Sequence, residues 1–248
     1  MEYKVSMAKP FFSFSGGGLY DEGNVGLTIK VGKWIEISEK FDKSNFIVYK
    51  GAYKNGKKVG RWHVYIRNSL FQKGYNKIGG GCYDEQGHGI KIGEWIDLDD
   101  GFHSRNQVTY HGEYHNGKKV GRWNAYWNFD QQIGGGQYDE LDEGIKIGKW
   151  IELEEGDSLQ QLIIFYGEYK HGKKVGRWDF MKRQYHESFK QIGGGFYDQN
   201  GIKFGMWIDL GEQTYDKVLS GNYQNGKKVG IWTVFHDYKE VNKIEYQN

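Results

Sequence analysis

The chain has 248 residues with 34 basic and 32 acidic side chains, a formal charge of +2, which supplies no general pull towards nucleic acid or anionic membrane. Its 38 glycines, 17 % aromatic residues and lone proline favour strands and turns over helices, and so many aromatics exclude a disordered chain. Cys82 is the single cysteine, so an internal disulfide and a cysteine zinc cluster are excluded, and a reducing compartment fits best.

Residues 1–15 read as a lead-in, without the apolar core of a signal peptide. No apolar run approaches the roughly 20 residues of a membrane span, so a cytoplasmic setting is expected. From residue 16 a short phrase begins: GGGLYDE…IKVGKWIEI at 16–37, then GGGCYDE…IKIGEWIDL at 79–98, GGGQYDE…IKIGKWIEL at 134–153 and GGGFYDQ…IKFGMWIDL at 193–210. A second phrase alternates with it: YKGAYKNGKKVGRW at 49–62, YHGEYHNGKKVGRW at 110–123, FYGEYKHGKKVGRW at 165–178 and LSGNYQNGKKVGIW at 219–232. Both share one skeleton, Gly-x-Tyr, a spacer, then Lys-(Val/Ile/Phe)-Gly-x-Trp. It occurs eight times and absorbs every tryptophan but Trp127. Units of this length repeated over most of a chain define a repeat architecture. The expected domain plan is therefore a lead-in at 1–15, eight repeats at 16–232 and a tail at 233–248. The tail, DYKEVNKIEYQN, is expected to form at most one helical turn.

Each unit is predicted to be a β-hairpin. Tyr110, Gly112 and Tyr114 alternate with His111, Glu113 and His115, so they share one face, and Asn116-Gly117 is a hairpin turn signal. With a four-residue NGKK loop, Tyr114 faces Gly121, Gly112 faces Trp123 and Glu113 faces Arg122. With a two-residue NG loop, Gly112 meets Gly121 and Tyr110 meets Trp123. Both registers keep Tyr and Trp on one face, and the longer loop is the preferred reading. A ring lying flat across a strand needs a neighbour without a Cβ, which accounts for the glycines. Bulges or close backbone packing are expected at the GGG strings. The other face carries an aliphatic stripe, with Val31, Ile92, Ile147 and Phe204 in line with Ile35, Ile96, Ile151 and Ile208.

This skeleton resembles the MORN repeat family, whose pattern runs Tyr-x-Gly-x-Tyr/Trp-x-x-Gly-Lys-x-x-Gly. YHGEYHNGKKVGRW matches it from Tyr110 to Gly121, while the GGG units diverge and lack the NGKK turn. The Gly-Arg-Trp ending is closer to a variant found in toxin–antitoxin-type and many ciliate repeat proteins. The resemblance covers roughly residues 16–232. It implies an all-β fold, an elongated, twisted, single-layer antiparallel sheet of about eight stacked hairpins with a shallow aromatic groove. It further implies a scaffold or binding module, not an enzyme. Cytoskeletal or ciliary association and contact with phosphoinositides enter on the same footing.

Two candidate surfaces follow. The first is the aromatic groove, expected to dock a protein partner through Tyr53, Trp62, Tyr83, Trp95, Tyr114, Trp123, Tyr138, Trp150, Tyr169 and Trp178; the competing reading makes these rings the core of a thin sheet. The second is the row of Lys-Lys tips, Lys57, Lys58, Lys118, Lys119, Lys173, Lys174, Lys227 and Lys228, which would meet anionic lipid head groups. Acidic tips at Asp21/Glu22, Asp84/Glu85, Asp139/Glu140 and Asp198 are expected to offset them. Self-association by end-to-end or face packing is the remaining partner class, and nucleic acid is not expected. No catalytic residue, metal site or cofactor is assigned. His111 and His115 lack further ligands, and the GGG strings precede no Gly-Lys-Ser/Thr. The acidic stretches at Asp97–Asp100 and Glu152–Asp157 lack calcium-loop spacing and are expected to be solvated loops. Length changes such as RNSLFQKGYN at 67–76 read as tolerated loop insertions.

Overall fold

The computed structural model describes residues 2–6, 15–22, 28–38, 46–67, 74–103, 106–141, 143–154, 161–184, 188–211 and 217–247. Most of the 67–76 insertion, the end of the second acidic stretch and the side chain of Glu22 lie outside the described residues. Two compact units are present: residues 1–132 with 140–143, and residues 133–139 with 144–248.

The first unit contains β1 (Glu2–Ser6), β2 (Ser15–Glu22), β3 (Thr28–Ile37), β4 (Phe46–Lys54), β5 (Lys57–Arg67), β6 (Asn76–Tyr83), β7 (Lys91–Leu98), β8 (Val108–His115) and β9 (Lys118–Trp127). The second contains β10 (Gln131–Tyr138), β11 (Lys146–Leu153), β12 (Gln161–Lys170), β13 (Lys173–Gln184), β14 (Lys190–Tyr197), β15 (Lys203–Leu210), β16 (Lys217–Gln224), β17 (Lys227–His236) and β18 (Lys239–Tyr246). In each unit the strands follow chain order in one open antiparallel sheet. The fold class expected from the repeats, an all-β sheet of successive hairpins, is the one observed. The tail differs from expectation. It forms no helical turn: Asp237 and Tyr238, both at positive φ, close a tight turn, and β18 returns along β17. The edge of β17 recruits the tail, whose Ile244 and Tyr246 alternate with Lys243 and Glu245 as a strand requires, with Val241 at the register shift.

The long phrase folds with a two-residue loop, not the preferred four-residue one. His115 pairs with Lys118, and Asn116 and Gly117 both take positive φ (48° and 81°), as a type I′ turn demands. The register then shifts. Glu113 faces Val120, yet His111 faces Asn124 and Tyr110 faces Ala125, which is the register the longer loop would have given. A bulge at Gly121 (φ 61°) inserts the difference. The short loop therefore sets the pairing near the turn, and the bulge resets it before Trp123. The bulge also dissolves the expected Glu113–Arg122 pair; Arg122 Nε instead donates to Asn124 Oδ1 at 3.0 Å.

The two glycines of each skeleton have different causes. A Cβ on Gly121 would meet nothing within 4 Å, so this residue is glycine for its positive φ, not to make room for Tyr114. The same glycine at the other seven Gly-x-Trp sites has φ between 59° and 68°. Gly112 is the converse. Its φ is ordinary, but a Cβ there would lie 2.3 Å from Cδ2 of Trp123. At the GGG strings the expected close packing is present: a Cβ on Gly80 would lie 2.1 Å from the Trp62 carbonyl oxygen, and one on Gly194 would lie 2.2 Å from that of Trp178.

Candidate functional site

The indole rings organise both units. Each of the eight repeat tryptophans lies flat on the glycine of its own Gly-x-Tyr, at 2.1–2.4 Å from the position a Cβ would take. Each also donates its ring N–H, at 3.1–3.2 Å, to the carbonyl of the residue after that glycine. All eight are buried, at 0–6 % exposure. Tyrosines stand edge-on between them. In the first unit the ladder runs Tyr20–Trp34–Tyr53–Trp62–Tyr83–Trp95–Tyr114–Trp123, with centroids 4.9–6.2 Å apart and planes nearly perpendicular. In the second it runs from Tyr138–Trp150 through Tyr169, Trp178, Tyr197, Trp207, Tyr223 and Trp232 to Tyr246. Edge-to-face geometry sets the positive ring edge of one aromatic against the negative face of the next.

The structure thus brings the predicted groove residues together. Trp62, Trp95, Trp123, Trp150 and Trp178 are internal, as are Tyr114 and Tyr169, while Tyr53, Tyr83 and Tyr138 are half-buried. They pack as the core of the sheet; a groove of about 660 Å³ in the first unit is lined by Tyr20, Trp34, Tyr49 and Phe102 and by none of the ten.

The lysine four residues before each tryptophan covers its ring. Lys30, Lys58, Lys91, Lys119, Lys146, Lys174, Lys203 and Lys228 place Nζ 4.1–4.5 Å from the indole centroid. Such a contact contributes on the order of 0.5–2 kcal/mol. Half of the predicted lipid-binding lysines are therefore drawn into the sheet: Lys58, Lys119, Lys174 and Lys228. Lys57, Lys118, Lys173 and Lys227 remain exposed at the hairpin tips.

A carboxylate joins these lysines in pairs. Glu36 accepts from Lys30 at 2.6 Å, Lys58 at 3.0 Å and the Tyr53 hydroxyl at 2.7 Å. Glu152 repeats the arrangement with Lys146, Lys174 and Tyr169, and Asp209 repeats it with Lys203, Lys228 and Tyr223. Asp97 accepts from Lys91 and Tyr114 at 2.6 and 2.7 Å. Burial by itself would raise the Glu36 and Glu152 pKa, but Lys30, Tyr53 and Lys58 for the first and Lys146 and Lys174 for the second outweigh it and hold both carboxyls below the ordinary glutamate value. Burial, followed by the nearby Asp97 charge, pushes Tyr83 up to about 12. Asp97 and Glu152 are thus strand residues at the centre of polar clusters, not members of solvated loops. The sequence reading missed these hubs. Their signal was present: Lys stands four before Trp in all eight units, and Glu or Asp two after it in all four short phrases.

Three of the expected acidic tips also turn inward. Asp84, at 6 % exposure, accepts the backbone N–H groups of Gly87, His88 and Ile90 at 2.6–3.0 Å, which hold its carboxyl below the usual range. Asp139 caps Ile145, and Asp198 caps Asn200 and Ile202. These three aspartates shape their loops, while Asp21, Glu85 and Glu140 remain exposed. His111 stacks on Tyr126 with centroids 4.4 Å apart and contacts the Thr109 hydroxyl, and no metal-binding group of three His, Cys, Asp or Glu occurs among the described residues.

On the opposite face the aliphatic stripe is half-buried to exposed, and it is most exposed in the last two repeats. Phe196, Phe204, Met206, Ile208 and Ile231 there are 41–63 % exposed. Phe196 pairs with Phe204 across β14 and β15, with ring centroids 6.2 Å apart. The positions of Met206 and Ile231 are charged in every other repeat: Lys33, Glu94 and Lys149 for the first, Arg61, Arg122 and Arg177 for the second.

No family model matches the chain, and no curated protein matches it. The resemblance to MORN repeats rests on the strings quoted above.

Proposed function

We propose that this chain is a non-catalytic scaffold or adaptor whose MORN-like hairpin sheet docks protein partners. The observation that carries the reading is the apolar face of the last two repeats. Phe196, Phe204, Met206 and Ile208 of the seventh and Ile231 of the eighth are exposed, and two of them replace charges that the same positions hold elsewhere. Exposed apolar patches on a stable sheet mark surfaces that another protein covers. The ladder of rings beneath supplies the rigid support, since its polar groups are satisfied within the sheet. A cytoskeletal setting, implied by the family resemblance, belongs to the same proposal.

The test restores the repeats' own charges. Met206→Lys with Ile231→Arg copies residues that neighbouring repeats accommodate at these positions, so the sheet is expected to remain folded. Partners captured by the tagged protein should be lost with the double variant. An unchanged partner set, or none captured by either protein, would overturn the reading.

A further inference from the structure

On the same non-tryptophan face, the first unit carries a groove of about 850 Å³. Its apolar floor includes Leu19, Ile35, Ala52, Val59 and Tyr65, its cations are Lys33, Lys50 and Arg61, and His63 lines it as a neutral imidazole, its pKa held down by burial and then by Lys77 and Arg61. Among the described residues Glu85 is the one carboxylate lining it. In the register, Lys50 faces His63, Lys33 faces Ala52, and Lys77 faces Tyr65 on the next strand. Among the described residues no carboxylate forms an ion pair with Lys33, Lys50, Arg61 or Lys77.

In the other two long phrases that keep this arginine, an oxygen of the residue two positions on accepts its hydrogen bond, and in one of them that oxygen belongs to a carboxylate; Arg61 donates instead to Cys82 Sγ at 3.5 Å. In the second long phrase, Arg122 donates to Asn124 at 3.0 Å, and Gln132 donates to the same oxygen at 3.2 Å. In the third, Arg177 and Gln191 both donate to Asp179, at 2.8 and 2.7 Å. In the first, the acceptor becomes His63 and the glutamine becomes Lys77. Glu113 and Glu168 become Ala52, and His111 and Tyr166 become Lys50. All four changes remove an acceptor or add a cation, and all fall around one groove. His63 Nδ1 is buried without a hydrogen-bond partner. Lys50 is held in place above the Tyr65 and Tyr75 rings, at 5.0 and 5.7 Å. Lys33, Lys50, Arg61 and Lys77 thus concentrate positive charge around the groove with no carboxylate ion-paired to them among the described residues, so the arrangement is complementary to an anion.

We infer that this groove is a docking site for an acidic peptide segment of a partner protein, with carboxylates meeting Lys50, Arg61 and Lys77 and apolar side chains covering Leu19 and Ile35. The exposed aliphatic floor selects a peptide over a bare phosphate, because Leu19 and Ile35, 49 % and 38 % exposed, offer nothing to a wholly polar ligand. Its residues are separate from those of the last two repeats, so the two surfaces fail or succeed independently.

The test is fluorescence anisotropy with a short labelled peptide alternating glutamate and leucine. The peptide should bind, weaken with added salt, and bind far less well when glutamine replaces glutamate. Ala52→Glu with His63→Asp rewrites the acceptors used by the other repeats and should weaken binding roughly tenfold or more. Lys50→Gln with Lys77→Gln should act in the same direction and serves if the first variant unfolds, with hydrogen exchange reporting the fold. Met206→Lys with Ile231→Arg should leave peptide affinity unchanged. Equal affinity for the glutamine peptide, or no loss in either groove variant, would overturn the assignment. So would inorganic phosphate or phosphatidylserine vesicles binding in a groove-dependent way while the peptide does not.

Discussion

Replacing Gly112 by Ala places a methyl carbon 2.3 Å from Cδ2 and 2.4 Å from Cε2 of Trp123. Carbon atoms are comfortable at about 3.5–4.0 Å, so the ring would have to withdraw by more than about 1 Å. It has little room. Its N–H is tied to the Glu113 carbonyl at 3.1 Å, Lys119 Nζ lies 4.2 Å from the indole centroid, and Tyr114 abuts it with centroids 5.1 Å apart. Overpacking of this kind costs about 1–3 kcal/mol. Outright expulsion of the 2 %-exposed ring sets an upper bound of about 3–5 kcal/mol, the expected cost of Trp123→Ala. We expect about 2–4 kcal/mol for Gly112→Ala. Gly112 has no positive φ, so in a strand without the ring the same methyl should stabilise by about 0.5–1 kcal/mol. The sign should therefore reverse in the Trp123→Ala background. Hydrogen exchange of the β8 and β9 amides, measured in all four combinations, reads the local opening free energy without assuming that a repeat array unfolds in one step. Equal cost of Gly112→Ala in both backgrounds would refute the nesting of ring on glycine.

Other consequences are as direct. Gly117→Ala, at φ 81°, should destabilise the β8–β9 hairpin by about 1–2 kcal/mol in the same exchange measurement, because a Cβ opposes left-handed backbone. Glu152→Gln should cost about 1–3 kcal/mol near neutral pH by removing the shared counter-charge of Lys146 and Lys174 and one of the two oxygens that accept from them, as read from denaturant unfolding. Glu36 and Glu152 titrate below their unfolded value of 4.5, so their contribution is complete above that pH and is lost as pH falls through the lower folded values; glutamine variants should flatten this acid limb of the stability profile. Tyr83, Tyr138 and Tyr197, raised from 10 to about 12, contribute stability that is complete below pH 10 and lost as pH rises through about 12. Phenolate absorbance should accordingly show a late-titrating class that vanishes on unfolding.

The sequence by itself determined the repeat, its hairpins, and the common side of Tyr and Trp. Alternation fixes which face a residue occupies, and Asn-Gly fixes a turn, whatever the rest of the chain does. It tied the repeated glycines to flat rings lying over bare backbone, but left open whether Trp123 or Gly121 faces Gly112, which the bulge decided. Tertiary structure decided the rest. Whether Gly121 served a ring or a backbone angle could not be read from its identity, since glycine answers both needs, and only the bulge separates them. Lys58 and Lys57 look alike in Asn-Gly-Lys-Lys, yet one covers Trp62 beside Glu36 and the other stands in solvent. That distinction depends on Glu36 lying two strands away, on β3, and Coulomb attraction acts across strands that the one-dimensional string does not align. The clustered cations of the first groove became visible for the same reason, once the register placed Lys50 beside His63 and showed which acceptors the other repeats supply.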